Sequence, residues 1–173
     1  MEAWDIYDID RIKTGKTSEL EWNDIVPGEY RMVVHICIFN SKNEMLIQQR
    51  QPFKDGWSNM WDITVGGRSV AGESSRQAAR RELFEELGYK FDFTGIRPYF
   101  TINFASGFDD FYIVEADVNI DELKLQPEEV QQVKWASKDE ILYMIKNGEF
   151  IPYYGDLIGL LFSMNKNYGA HMK

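Results

Sequence analysis

The sequence predicts one α/β (α+β) domain in which a mixed central sheet is sandwiched by helices. Three observations lead there. Runs rich in β-branched and aromatic side chains recur along the chain, at 30–39, 44–50, 96–104 and 110–118. One segment, 74–87, carries both ends of a helix in its own residues. And 173 residues with a hydrophobic fraction of 44% supply enough apolar surface for a core of single-domain size. Strands alternating with helices in this way build layered folds.

The elements follow in order. Residues 4–9 alternate bulky apolar with acidic side chains and run into the polar turn Lys13-Thr14-Gly15-Lys16, a short strand or hairpin occupying about 1–28 before Pro27-Gly28. The core is expected over about 29–150. It opens with a hairpin: Tyr30–Phe39, the break Asn40-Ser41-Lys42-Asn43, then Glu44–Arg50. Residues 51–64 read as loop, and Gly66-Gly67 punctuates the chain again. Ser74 with Gln77 three residues on has the form of a capping box, and Gly88 stands where a helix stops. Strands over 96–104 and 110–118 are separated by Ala105-Ser106-Gly107, and a short strand is expected near Val133–Trp135. Ser137 caps a second helix, 138–147, closed by Gly148, and the apolar residues of 151–173 suit a C-terminal helix packed on the core.

Composition excludes several functions. The formal net charge is -9 and there is no basic run, so a nucleic-acid partner is not expected. No stretch approaches the ~18–20 apolar residues of a membrane helix, and Met1-Glu2-Ala3-Trp4-Asp5 lacks the features of a signal peptide. The single cysteine, Cys37, has no partner for an internal disulfide, which fits a reducing cytoplasm. The aromatic-rich N-terminal segment leaves a homodimer open.

Chemistry concentrates on the helix at 74–87. Glu82, Glu85 and Glu86 lie at i, i+3 and i+4 and so share one stripe. Like charges at that spacing cost roughly 0.2–0.5 kcal/mol per pair in an isolated helix, and a divalent cation would offset that cost. Ala79, Leu83 and Leu87 form an adjoining apolar edge that would hold the carboxylates on rigid backbone. Arg81 neighbours Glu82 and is placed to orient it, while Gly66-Gly67 lets a backbone carbonyl come close enough to act as a ligand.

The full segment Gly67–Tyr89, GRSVAGESSRQAARRELFEELGY, resembles the Nudix box, G-x5-E-x7-R-E-U-x-E-E-x-G-U. Gly67, Glu73, Arg81, Glu82, Leu83, Glu85, Glu86 and Gly88 match, and Tyr89 fills the last apolar position. The resemblance implies a Nudix-type α/β/α sandwich and a divalent-metal-dependent hydrolase. Its substrate would be a nucleoside diphosphate derivative or a related organic pyrophosphate. It implies Mg²⁺ or Mn²⁺ held by Glu82, Glu85, Glu86 and the Gly67 backbone, with Arg81 orienting Glu82 and Glu73 tying loop to helix. The base would be Glu82 or a late-loop carboxylate such as Glu128 or Glu129.

Outside the box, the hairpin segment His35–Arg50 and the Trp61–Gly67 spacing look like the branch of the family that includes isopentenyl-diphosphate isomerase. The isomerase cysteine is matched here by Gly66 and the following histidine by Arg68, so hydrolysis is expected over isomerisation. A nucleotide-binding sensor without catalysis is the other alternative. Arg50 and Arg68 are candidates for phosphate contact, and Trp57 for stacking on substrate. Trp61 is expected to pack beneath the loop, Cys37 to be core, and His35 to be a packed or solvent-facing residue rather than a ligand.

Overall fold

The computed structural model describes residues 2–19 and 26–172. Nine strands and three α-helices follow one another among them: β1 Trp4–Tyr7, β2 Lys13–Ser18, β3 Arg31–Phe39, β4 Met45–Arg50, β5 Trp61–Asp62, β6 Val65–Arg68, α1 Ser75–Leu87, β7 Phe100–Phe104, β8 Gly107–Glu115, β9 Val130–Ala136, α2 Lys138–Lys146 and α3 Gly155–Met164. β1 and β2 pair antiparallel as a separate two-stranded sheet. The other seven strands form one mixed sheet. Its spine is β5-β4-β3-β8-β7, with β6 pairing on β3 and β9 on β4. β3 and β8 run parallel through nine residue pairs, Arg31↔Gly107 to Phe39↔Glu115.

Period-two alternation along β3 sends its side chains into two cores. Val34, Ile36 and Ile38 meet Ala78, Ala79, Leu83 and Leu87 of α1. Cys37 and Phe39 face the other way, against Ile141 and Met144 of α2 and Ile158, Leu161 and Phe162 of α3. The sandwich is therefore α1, sheet, then α2 and α3, as expected. Cys37 is fully buried, and burial together with the charge of Asp62 raises its thiol well above the usual range, so it stays protonated core.

Four expectations about elements are corrected. The hairpin at 30–50 is barely a hairpin: among the described residues β3 and β4 share one register pair, Phe39↔Met45, and then splay. The chain at 62–64 fills the gap. The Thr64 hydroxyl accepts the Ile38 N–H at 2.9 Å and donates to the Leu46 carbonyl, so one side chain satisfies both strands. Residues 51–64, read as loop, thus contain β5, and Gly66-Gly67 lies inside β6 rather than between elements. The last helix is confined to Gly155–Met164.

Among the described residues of the N-terminal segment, the aromatic side chains Trp4 and Tyr7 are buried within the chain. Ile6 is buried with them, and Tyr7 packs with Met32 and Phe108.

Replacing Thr64 by Val keeps the shape and removes both bonds. Each orphaned buried backbone group costs about 1–3 kcal/mol. Thr64→Val should therefore lose at least about 2 kcal/mol of unfolding free energy in urea. A loss below about 0.5 kcal/mol would show that the wedge carries no load.

Candidate active site

The helix that carries the acidic stripe is fixed at both ends by local chemistry. The Ser74 hydroxyl accepts the Gln77 N–H at 3.3 Å and the Gln77 side chain accepts the Ser74 N–H at 2.8 Å, a reciprocal capping box. Gly88 ends the helix in the left-handed region at φ 65° and its N–H returns to the Phe84 carbonyl.

Arg81 organises what lies between. Its Nε and one terminal nitrogen hold the two Glu73 oxygens at 2.8 and 3.0 Å. The other terminal nitrogen donates to Glu82 and to Glu85, both at 2.9 Å. A further bond at 2.8 Å reaches the Arg68 carbonyl, at the end of β6. One guanidinium therefore joins strand end, loop and helix.

The three stripe glutamates have different environments. Glu85 is half exposed, whereas Glu82 and Glu86 turn inward. Burial pushes the Glu82 carboxyl up to about 7 in spite of Arg81. Glu86 is 6% exposed and accepts a bond at 2.7 Å from the Gln48 amide. Burial first, and then the charges of Glu82, Glu129 and Asp62, raise Glu86 well above the usual carboxylate range. Gly67 lies against Glu82 so closely that a Cβ there would sit 2.1 Å from the carboxyl carbon. Only glycine brings this backbone to the carboxylate.

Among the described residues, no three His, Cys, Asp or Glu side chains are gathered into a ready metal cage. Glu85 is turned to Arg81, and Glu86 to Gln48. The donor set nonetheless fits a hard cation: Glu82 lies against Gly67, Glu85 and Glu86 follow it on the same helix, and the carboxyls of Glu82 and Glu86 are raised by burial.

The remaining candidates fall in several places. Arg50 ends β4, two residues after Gln48 and past an irregularity in the β4–β9 register. Its Nε is buried without a hydrogen-bond partner, and its terminal nitrogen reaches the Gly56 carbonyl at 3.4 Å. Trp57, on that loop, is exposed at φ 51°. The guanidinium of Arg68 stands over the ring of Trp4, 4.9 Å from its centre. Trp61 packs beneath Lys134, whose Nζ is 4.7 Å from the ring centre. Of the two late acids, Glu129 is tied to Lys54 at 2.6 Å and acts electrostatically on Glu86, whereas Glu128 is exposed. His35 lies across the sheet from Gly66, stacked on Phe111 and 3.1 Å from Asp109.

Gln48 was not among the expected site residues. Its signal is period-two: it follows Leu46 on the face turned to α1, and a polar residue on that face needs a partner there.

The sheet, the helix and the box between Gly67 and Tyr89 together define a Nudix domain. A model of that domain matches residues 29–154, and the chain belongs to the Nudix family. It is 44% identical over 154 residues to an uncharacterized Nudix hydrolase of Listeria monocytogenes, covering 89% of this chain and 90% of that one. It is 33% identical over 122 residues to the isopentenyl-diphosphate Delta-isomerase of Pectobacterium atrosepticum, covering 67% and 66%. The crystal structure of DR0079 from Deinococcus radiodurans superposes with a TM-score of 0.72 at 25% identity, over 92% of this chain and 97% of that one. No helix among the described residues is long and apolar enough to cross a membrane.

Gly67→Ala should force the Glu82 carboxyl, the far end of a flexible side chain, out of its place and cost about 0.5–1.5 kcal/mol through its weakened bond to Arg81. Chemical denaturation measures the loss, and an unchanged midpoint would mean that Glu82 does not depend on this approach.

Proposed function

We propose that the protein is a divalent-metal-dependent hydrolase that cleaves a pyrophosphate bond in a nucleoside diphosphate derivative or a related organic pyrophosphate. One observation carries the reading. Glu73, Glu82 and Glu85 share the cation of Arg81, and among the described residues the buried Glu86 carboxyl is bonded to the Gln48 amide. Such an acid surplus in a low-dielectric setting calls for positive charge from outside.

Glu82, Glu85, Glu86 and the Gly67 carbonyl would hold Mg²⁺ or Mn²⁺, which supplies charge neutralisation for phosphate oxygens and an acidified water. The chain's own groups do the rest. Gln48 holds Glu86 in place, and Arg81 orients Glu82. Without the cation, burial pushes the Glu82 carboxyl up to about 7, so a divalent ion would bind there in competition with a proton. The unfilled Nε of Arg50 suits a phosphate oxygen, since guanidinium forks match phosphate. Glu129, paired with Lys54, adds a further negative charge that acts on Glu86. Hydrolysis is favoured over isomerisation because the thiol of Cys37 is sealed in the opposite core and Gly66 has no side chain to replace it.

The test is a panel of NDP-sugars, ADP-ribose, dinucleotides, NTPs and prenyl diphosphates, with Mg²⁺ and with Mn²⁺. At least one should release phosphate-containing products. Glu86→Gln should cut that rate by orders of magnitude with the melting temperature unchanged or slightly raised, because the neutral amide can still accept the Gln48 bond. Silence across the panel, or full activity in the variant, would contradict the proposal.

A further inference from the structure

The loop between β6 and α1, residues 69–74, contains Glu73 and sets the entry angle of the acidic helix. Its backbone donors can be accounted for one by one. Ser69 donates to the Met32 carbonyl at 3.0 Å, Val70 to the Glu73 side chain at 3.0 Å, Glu73 to the Val70 carbonyl at 3.1 Å, and Ser74 to Gln77. The two at the loop's tip go elsewhere. Ala71 N–H donates to the Ala3 carbonyl at 2.8 Å, and Gly72 N–H to the Asp5 carboxylate at 2.8 Å. Both acceptors belong to the N-terminal hairpin, which lies outside the residues that the family model matches.

The hairpin makes two more contacts in the same stretch. Lys13 Nζ lies 2.6 Å from Asp5 and donates to the Glu73 carbonyl at 2.7 Å. Arg11 pairs with the fully buried Asp110, which also accepts the hydroxyl of Ser75, the first residue of α1. That Arg11 points there is a consequence of its turn. The Asp8 carboxylate accepts the N–H groups of Asp10 and Ile12, and Arg11 between them takes a left-handed φ of 63°.

We infer that the N-terminal hairpin is a working part of the active site, in which Asp5, Lys13 and Arg11 are positioning residues for the metal-binding loop. The inference rests on the metal-binding role proposed above for Glu82, Glu85 and Glu86. Arg81 holds the loop from beneath, at Arg68 and Glu73, and the hairpin holds its tip from above. Ala71 and Gly72 are exposed, so water replaces the hairpin's bonds when they are lost, and little folding energy goes with them. What is lost is the place of Glu73, and through Arg81 that of Glu82. Groups that orient ligands from behind typically change metal affinity or activity by about 10–100-fold.

The experiment uses the full chain, freed of metal, as wild type, Asp5→Ala, Asp5→Asn, Lys13→Met and, as a control on the same hairpin, Lys16→Ala. Three quantities are read: Mn²⁺ affinity by calorimetry or electron paramagnetic resonance, amide exchange at Ala71 and Gly72, and the melting temperature. Asp5→Ala and Lys13→Met should weaken Mn²⁺ by roughly tenfold. Asp5→Ala should speed Gly72 exchange by a similar factor, with small changes in melting. Asp5→Asn keeps an acceptor and should recover most of both, and Lys16→Ala should match wild type. Wild-type exchange and wild-type Mn²⁺ affinity in Asp5→Ala and Lys13→Met would overturn the inference. If wild type itself bound no Mn²⁺, the proposed function would fall, and exchange at Gly72 alone would decide for or against the hairpin's hold on the loop.

Discussion

Five hydrogen bonds from one guanidinium hold the candidate active site together. Arg81 binds both oxygens of Glu73, one oxygen each of Glu82 and Glu85, and the carbonyl of Arg68. Remove the planar fork and the end of β6, the loop and the helix lose their common anchor. A lysine could not replace it, since a point ammonium cannot reach a carbonyl and three carboxylates in fixed directions. Burial alone would lower the guanidinium's affinity for its proton, but the surrounding carboxylates raise it, so the anchor is permanently charged.

That anchor also defines what the site lacks. Its one positive charge is divided among three acids, and Glu86, a turn beyond Glu82, is left with the Gln48 amide. The protein's net charge of -9 therefore has a local component with a physical role. A buried pair of carboxylates without matching cations is costly, and it is tolerated where a ligand supplies the charge. An acidic protein can in this way receive an anionic substrate through a cation held between them.

Much of this was legible in the residues. The capping pair Ser74 and Gln77, the stop at Gly88 and the i, i+3, i+4 glutamates are local signals, and the structure reproduces the capped helix they imply. What stayed hidden depends on contacts distant in sequence. Thr64 reads as an ordinary loop residue until β3 and β4 splay around it. Gln48 meets Glu86 across 38 residues. Asp5 meets Gly72 across 67, and Arg11 meets Asp110 across 99. Periodicity turns Gln48 to the α1 face but names no partner, and the other pairs have no periodic signal, because all of them exist only once the layers have packed. Arg68, a candidate for phosphate contact from its place beside the box, also stands over the Trp4 ring, a contact across 64 residues that the sequence does not show.

The central claim is that Glu82 and Glu86 form a charge deficit that a divalent cation fills. Thermal unfolding of wild type and of the double variant Glu82→Gln/Glu86→Gln, each with and without Mg²⁺, tests it most directly. Without Mg²⁺ the double variant should melt at or above wild type, since the burial that raises both carboxyls, and opposes folding wherever they ionise, is gone. Saturating Mg²⁺ should raise wild type by at least about 2–4 °C and leave the double variant unmoved. A double variant that melts well below metal-free wild type, together with a wild type indifferent to Mg²⁺, would contradict the account.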